Sequence, residues 1–258
     1  MCLGSLPDIK GPMAARMSEV APGVHRLEDV YTNWYLLDDG GKLTLVDAGL
    51  PGDWASFTEA LRRIGRSLFD VDAVLITHHH MDHAGNAERL RTSGARVLAH
   101  PADAPYLRGE KQRSNRGIVR YLWRSWYRRY MLRYVARGIL RTPAIATIED
   151  LADGERLDVP GAPRVIHSPG HTAGSCALLV EDRGVLFSGD ALVTLDVARG
   201  PRGQRGPQIV RGPHTDDASR ALESLDLLAA TKASVVLPGH GDPWTEGVES
   251  AVKQARRT

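Results

Sequence analysis

Hydrophobic and polar positions along the chain follow the period of a strand in some segments and that of a helix in others. The predicted strands and helices interleave. Residues 33–47 predict two strands joined by a hairpin at Asp39-Gly40-Gly41. Other apolar runs predict buried strands at 73–77, 96–99, 165–167, 177–180, 185–187 and 234–237. Helical spacing is found at 53–64, 87–91, 116–140, 215–230 and 244–256. Strands and helices that interleave in this way predict an α/β layered architecture.

Four polar loops that contain glycine directly follow predicted strands. They lie at 78–85, 168–175, 188–192 and 238–242. In α/β proteins the loops at strand ends are where binding and catalytic sites are built. We therefore expect the functional site where these loops meet.

The loop at 78–85 (HHHMDHAG) carries the densest set of metal-ligand side chains. His78 and His80 stand two residues apart, so in extended backbone their side chains share a face. Asp82 and His83 are adjacent and point differently, so one loop offers two ligands to one metal and two to its neighbour. We expect His79 to face away. Imidazole and carboxylate ligands suit zinc, and they also bind iron or manganese. For this segment taken alone, the alternative is a histidine-rich loop exposed to solvent.

Composition narrows the class of protein. The chain has 258 residues, of which 42% are apolar and 25% charged, as in an ordinary soluble globular protein. With only Cys2 and Cys176, a zinc site built on thiolates is excluded by count and a structural disulfide is not expected. A net charge of +2 does not indicate a nucleic-acid partner, and no apolar run is long enough for a membrane span. We expect a cytoplasmic protein with a flexible tail at 1–20 and one domain at 21–258.

Three later residues complete a specific pattern. His171 lies in SPGHT, Asp190 in SGD and His240 in PGHG, each in a glycine-containing turn after a predicted strand. The ordered set, HxHxDH followed by His, Asp and His, resembles the metallo-β-lactamase-like hydrolase superfamily. Asp47, in the segment VDAG, matches the first motif of that family. The resemblance runs from about residue 31 to residue 244, most of the chain.

The resemblance implies a four-layer αβ/βα sandwich with two metal ions at one edge. The implied ligands are His78, His80 and His171 for the first metal, Asp82, His83 and His240 for the second, and Asp190 as a bridge between them. Asp47 would orient a ligand histidine from behind. Two zinc ions are expected, with iron or manganese as the alternatives.

Hydrolysis of a small-molecule substrate is the implied reaction. A hydroxide that bridges the metals would attack, and Asp82 and Asp190 would be the catalytic carboxylates. The aspartate at 190 resembles the glyoxalase-II-like and lactonase-like branch, without the C-terminal domain of glyoxalase II, because true β-lactamases usually carry Cys or Ser there. Val193 stands where many acyl-homoserine lactonases have tyrosine. We expect cleavage of an ester, thioester or lactone, and keep a phosphodiester hydrolase, an iron-dependent persulfide dioxygenase and a β-lactamase as alternatives.

A basic and aromatic segment at about 104–143 is the distinctive part of the chain, and we expect it to be a helical insertion. Residues 106–141 contain ten arginines and Lys111 against one acid, Glu110. On the predicted helix, one stripe carries Trp123, Trp126, Tyr127, Tyr130 and Tyr134. The helix would either pack this stripe on the core, or form a lid whose aromatic rings bind an acyl group and whose arginines attract an anionic substrate. We rank binding of this helix to a membrane or to single-stranded nucleic acid lower than these two roles. The sequence is also compatible with a dimer.

Overall fold

Thirteen strands among the described residues form two main sheets and one ribbon. The computed structural model describes residues 16–112, 121–197 and 205–258. The strands are β1 (Arg16–Ala21), β2 (Val24–Asp29), β3 (Thr32–Asp39), β4 (Lys42–Val46), β5 (Val71–Ile76), β6 (Arg96–Ala99), β7 (Glu149–Asp150), β8 (Arg164–His167), β9 (Cys176–Val180), β10 (Val185–Gly189), β11 (Val193–Leu195), β12 (Arg205–Gln208) and β13 (Val235–Pro238). The first sheet has the order β1-β2-β3-β4-β5-β6-β7 and the second the order β13-β10-β9-β8, while β11 pairs with β12.

The helices of the described residues are α1 (Trp54–Arg63), α2 (Met81–Ala84), α3 (Ala87–Thr92), α4 (Ala104–Leu107), α5 (Ser125–Ala136), α6 (Ala218–Ala229) and α7 (Val248–Ala255). Helices α1 and α3 pack on the outer face of the first sheet, and α6 and α7 on that of the second. None of the helices in the described part of the chain is long and apolar enough to cross a membrane.

Alternation along the strands builds a separate core on each face of each sheet. In β3, Tyr35 and Leu37 face the second sheet, whereas Trp34 and Leu36 pack in the cluster that includes α1 and α3. In the second sheet, Phe187 faces the first sheet, and its neighbour Leu186 packs with the apolar residues of α6 and α7. The layers are therefore helix, sheet, sheet and helix, and the four-layer αβ/βα sandwich expected from the resemblance is confirmed.

Strand direction brings the functional loops to one edge. β4, β5 and β6 run parallel, so the loops that follow β4 and β5 leave the sheet on the same side. In the second sheet β10 and β13 are also parallel, which places Asp190 and His240 together at their carboxyl ends. The hairpin predicted at 39–41 is confirmed, with Gly40 and Gly41 at φ 61° and 92°, a conformation that glycine adopts without strain.

Three expected element boundaries were wrong. Residues 16–20, expected in the tail, belong to β1, which pairs with β2 and packs Met17 on the core. The long helix expected at 116–140 is α5, which starts only at Ser125 and is followed by Gly138 at φ 82°, while residues 113–120 lie outside the described ranges. The closing helix starts at Val248 and not at 244, because Trp244 forms a β-bridge with Val236.

The C-terminal end of α5 is fixed by a buried pair of acids. The Arg137 guanidinium forms an ion pair with Asp29, and the Gly52 amide donates to the Arg137 carbonyl at 2.8 Å. Asp53 is fully buried beside the carboxyl group of Asp29. Burial and the neighbouring Asp29 carboxyl raise the pKa of Asp53 to about 8.

A pH dependence of stability follows from Asp53. Since its pKa is about 8 in the folded state and 3.8 in a free side chain, the folded protein keeps a proton that the unfolded chain releases between these values. The stability that Asp53 contributes is therefore present in full at about pH 4 and lost as the pH rises through about 8. We expect the urea-unfolding free energy of the wild type to fall across this range relative to Asp53→Asn. Parallel curves for the two proteins would contradict the assignment.

Candidate metal centre

Seven side chains converge where the loops after β5, β8, β10 and β13 meet. They form two clusters, each with its ligand-type atoms within 4.8 Å of one another: His78, His80, His171 and Asp190 in the first, and Asp82, His83 and His240 in the second. The structure thus brings together all seven residues that the sequence singled out.

The first cluster is built from three imidazoles and a carboxylate. His78 Nε2 and His171 Nε2 each lie 3.0 Å from His80 Nδ1. Asp190 Oδ2 lies 3.4 Å from His171 Nε2 and 3.9 Å from His78 Nε2. Three ring nitrogens and one carboxylate oxygen therefore point at a common centre.

The second cluster shares Asp190 with the first. Asp82 Oδ2 lies 3.6 Å from both His83 Nε2 and His240 Nε2. Asp190 Oδ1 lies 3.7 Å from His83 Nε2, and Asp190 Oδ2 lies 3.2 Å from His240 Nε2. A Cβ added to Gly239 would stand 2.2 Å from Asp190 Oδ1, so only glycine allows this approach of the loop after β13. Asp190 lies between the two clusters.

Asp47 orients ligand rings from behind the site. Its Oδ2 accepts a hydrogen bond from His83 Nδ1 at 2.8 Å, and its backbone has the left-handed φ of 60°. Thr77 Oγ1 donates to the same carboxylate, so it accepts from His78 Nδ1 at 3.0 Å. Both rings consequently carry their proton on Nδ1 and present the Nε2 lone pair to the centre.

Two further ligand rings have outer partners of the same kind. His240 Nδ1 lies 2.7 Å from the Tyr31 carbonyl, which only accepts. Thr215 Oγ1 donates to the Val210 carbonyl at 2.6 Å, and therefore accepts from His171 Nδ1 at 3.1 Å. In His240 and in His171, the lone pair on Nε2 therefore points to the centre of the site.

Buried charge dominates the electrostatics of the site. Burial disfavours the charged form of His83, but the carboxylates of Asp82, Asp47 and Asp190 raise its pKa to about 10, so the site favours positive charge at Nε2, which a bound metal ion would supply in place of the proton. Burial likewise disfavours the Asp190 anion, yet His240 and His83 hold the pKa of Asp190 well below its usual value. Carboxylates that are buried need positive charge beside them.

The donor set fits divalent metal ions. His83 Nε2 and Asp190 Oδ1 are buried and have no hydrogen-bond partner among the described residues. Buried polar atoms are nearly always partnered, so two of them that face each other fit ligands of a shared cation. Imidazole nitrogens and carboxylate oxygens are the ligands that zinc, iron and manganese share.

Comparison with known proteins agrees with this geometry. The sequence profile of the metallo-beta-lactamase superfamily matches residues 27–240. The chain belongs to this superfamily. The probable metallo-hydrolase YflN of Bacillus subtilis is 29% identical over 241 residues, covering 88% of this chain and 87% of its own.

Solved structures of the superfamily superimpose on the chain. The metallo-beta-lactamase family protein TTHA1429 of Thermus thermophilus matches with a TM-score of 0.68 at 27% identity, covering 92% of this chain and 79% of that protein. TTHA1623, solved in a di-iron-bound form, matches with a TM-score of 0.60 at 26% identity, covering 87% and 95% of the two chains. The similar proteins thus include a probable metallo-hydrolase and a protein that binds two irons, which agrees with a divalent-metal site in this chain.

Asp103 is a supporting residue that sequence reasoning missed. It is fully buried and accepts from the His79 amide at 2.8 Å, the Thr172 hydroxyl at 2.7 Å and the Gly174 amide at 2.8 Å. It thereby ties together two loops that carry ligands. His79 itself stacks on Tyr106 at 4.2 Å and does not enter either cluster. The sequence signal for Asp103 was its position four residues after the predicted strand at 96–99, at the sheet edge where the other functional loops were expected.

The aromatic residues of α5 lie in different surroundings. Tyr127 and Tyr130 are buried, and the indole of Trp126 donates to the Val197 carbonyl at 3.0 Å. Trp123 precedes the helix and is 75% exposed. Tyr134, one turn beyond Tyr130, reaches the site directly. The stripe is therefore partly a packing surface, and its role as a lid stays a prediction.

Asp190 offers the most direct test of the metal centre. The Asp190 carboxylate faces both clusters and lies near four imidazoles. Asp190→Ala should therefore lower the divalent metal content of the purified protein well below that of the wild type, measured by inductively coupled plasma mass spectrometry. Asp182→Ala, at a carboxylate that is 84% exposed, is the matched control and should retain wild-type metal content. Equal metal content in all three proteins would refute the centre.

Proposed function

We propose that the protein is a hydrolase with two zinc ions that cleaves a carboxylic ester, thioester or lactone. The observation that carries the proposal is Asp190, whose carboxylate contacts histidines of both clusters: Oδ2 lies 3.4 Å from His171 Nε2 and 3.2 Å from His240 Nε2. A single-metal site would not need a carboxylate in this position. His78, His80 and His171 would hold one ion, and Asp82, His83 and His240 the other.

The residues of the site are suited to hydrolysis. Two divalent ions supply Lewis-acid catalysis at such a site and lower the pKa of water enough for attack near neutral pH. Asp190 contacts both histidine clusters and thereby fixes their relative position. Asp82, whose side chain is 11% exposed, is the carboxylate that we assign to orient the attacking water and to carry its proton.

The direction of the α5 side chains favours an acyl substrate over a phosphodiester. Tyr127 and Tyr130 lie on the inner face of the helix, whereas Arg124, Arg128 and Arg129 are exposed on the outer face. Arg137, directly after α5, is paired with Asp29, and Arg133 donates to the Tyr31 hydroxyl. Arginines directed at the metal ions would favour a phosphodiester, whereas apolar and aromatic surface favours an acyl group.

Tyr130 is the lid residue that we place closest to the substrate. Its ring lies 4.4 Å from that of Tyr134, which contacts Asp82. Burial, together with the neighbouring carboxylates of Asp82 and Asp190, raises the pKa of Tyr130 well above its usual value, so the phenol stays a neutral donor. We propose that the rings of Tyr127 and Tyr130, with Trp126 and Trp123 beside them, line the path of the acyl group.

A substrate panel tests the reaction class. Zinc-loaded protein is expected to bind about two zinc ions per chain, and to hydrolyse ester, thioester or lactone substrates faster than β-lactam or phosphodiester substrates. Asp190→Ala should abolish the hydrolysis. Preferential cleavage of a phosphodiester or a β-lactam would replace the proposed substrate class.

An iron-dependent oxygenase is the second candidate, favoured by the similar protein that binds two irons. Metal analysis of the protein as isolated, combined with oxygen uptake in the presence of a persulfide, separates the two functions. Zinc with no oxygen uptake supports the hydrolase, and iron with persulfide-dependent uptake would refute it.

Tyr130→Ala tests the lid. We expect kcat/KM for bulky acyl substrates to fall about 10- to 200-fold, the range for loss of a buried apolar contact, with a smaller effect on short substrates. Metal content should stay unchanged. Leu132→Ala, at a side chain on the same helix that is 67% exposed, should leave kinetics for both substrate sizes at the wild-type level. A lower melting temperature without a size-dependent kinetic effect would show that Tyr130 only packs.

A further inference from the structure

Two hydroxyl groups from outside its own loop hold the carboxylate of Asp82. Asp82 lies on α2, a helix of four residues. Tyr134 Oη lies 3.1 Å and Thr32 Oγ1 3.2 Å from Asp82 Oδ2, and both hydroxyl residues are buried. The same Oδ2 faces His83 and His240 at 3.6 Å. The oxygen that points at the second cluster is thus the one that the hydroxyls orient.

The two hydroxyls form a single hydrogen-bonded chain. Thr32 Oγ1 and Tyr134 Oη are 2.6 Å apart, so one donates its proton to the other. Each hydroxyl has only one proton, and whichever group accepts keeps its own proton for Asp82. The pair therefore delivers one hydrogen bond to Asp82 in either arrangement. Either hydroxyl alone is near enough to donate, but without its partner it is less well oriented.

The position of Tyr134 is set by the attachment of α5 to the sandwich. Near the start of the helix, Trp126 Nε1 donates to the Val197 carbonyl at 3.0 Å. At its end, Arg137 pairs with Asp29. Tyr134 lies between these attachments, one turn before the second, so its hydroxyl is presented to the site by a helix fixed at both ends.

A second ligand of the same cluster also depends on α5. The Tyr31 carbonyl accepts from His240 Nδ1. The ring of Tyr31 packs edge-on against Trp126 at 5.5 Å between centroids, and its hydroxyl accepts from Arg133 Nη1 at 3.2 Å. Tyr31 has a positive φ of 75°, which costs energy for a residue other than glycine, so these α5 contacts help to hold it.

The first cluster takes its outer hydrogen bonds from elsewhere. His78 is oriented by Thr77, which follows β5, and His171 by Thr215, which precedes α6. Neither partner lies on α5. Asp47 supports one ring in each cluster, whereas the contacts with α5 reach the second cluster.

We propose that Tyr134 and Thr32 are positioning residues for the second metal, and that α5 sets the affinity of this site separately from that of the first. This inference rests on the two-metal function proposed above. Outer partners of metal ligands typically change metal affinity about 10- to 100-fold, which gives the size of the expected effect.

Zinc titration of the metal-stripped protein tests the proposal without reference to activity. Isothermal titration calorimetry with a competing chelator resolves the two bound zinc ions by their affinities. Thr32→Val and Tyr134→Phe should each weaken the binding of one ion several-fold. The double variant, which lacks both hydroxyls, should weaken the binding of that ion about 10- to 100-fold. The other ion should bind within about twofold of its wild-type affinity in all three variants.

Tyr106→Phe is the matched control, since it removes a phenol hydroxyl from a ring that stacks on His79 and is absent from both clusters. It should bind both equivalents as the wild type does. Wild-type affinity for both zinc ions in the folded double variant would overturn the proposal, as would an equal loss of affinity for both ions. If the double variant does not fold, unchanged affinity in both single variants overturns it. A wild-type protein that binds only one zinc would instead refute the two-metal function, and that failure appears before any variant is made.

Discussion

The structure depends on burying a cluster of charged and ionisable side chains at one edge of two apolar sheets. Asp47, Asp82 and Asp190 are all buried, and burial of such carboxylates is costly unless positive charge lies beside them. Five imidazoles surround them, and each ring must keep its lone pair pointing inward. The hydrogen bonds on the outer side of those rings are therefore as necessary as the ligands, because they fix which nitrogen carries the proton.

The sandwich meets this requirement through strand direction. Parallel pairing of β4 with β5 places Asp47 behind His83, and parallel pairing of β10 with β13 places Asp190 beside His240. Each ligand loop thus leaves a rigid strand, and the positions of the ligands follow from the register of the sheets. Asp103, reached from β6, then joins two of these loops through backbone amides.

Helix α5 has two faces with different roles. Its inner face carries the buried rings of Tyr127, Tyr130 and Tyr134, and the helix contacts Asp82 through Tyr134 and the Tyr31 side chain through Arg133. Its outer face carries exposed arginines and leucine. The helix thus supports the second cluster, and the lid that we propose would use the same helix, so substitutions on it are judged by metal content as well as by kinetics.

The sequence by itself determined the ligand types, their order and the layered α/β class. Histidine and aspartate at strand ends are local features, and the periodicity of apolar residues is fixed by the geometry of a strand or helix. Tertiary structure alone decided that Tyr134 and Thr32, 102 residues apart, meet at Asp82. It also decided where α5 begins and which of its aromatic residues are buried. Contacts between distant segments depend on sheet register and helix docking, and no local pattern of residues encodes these.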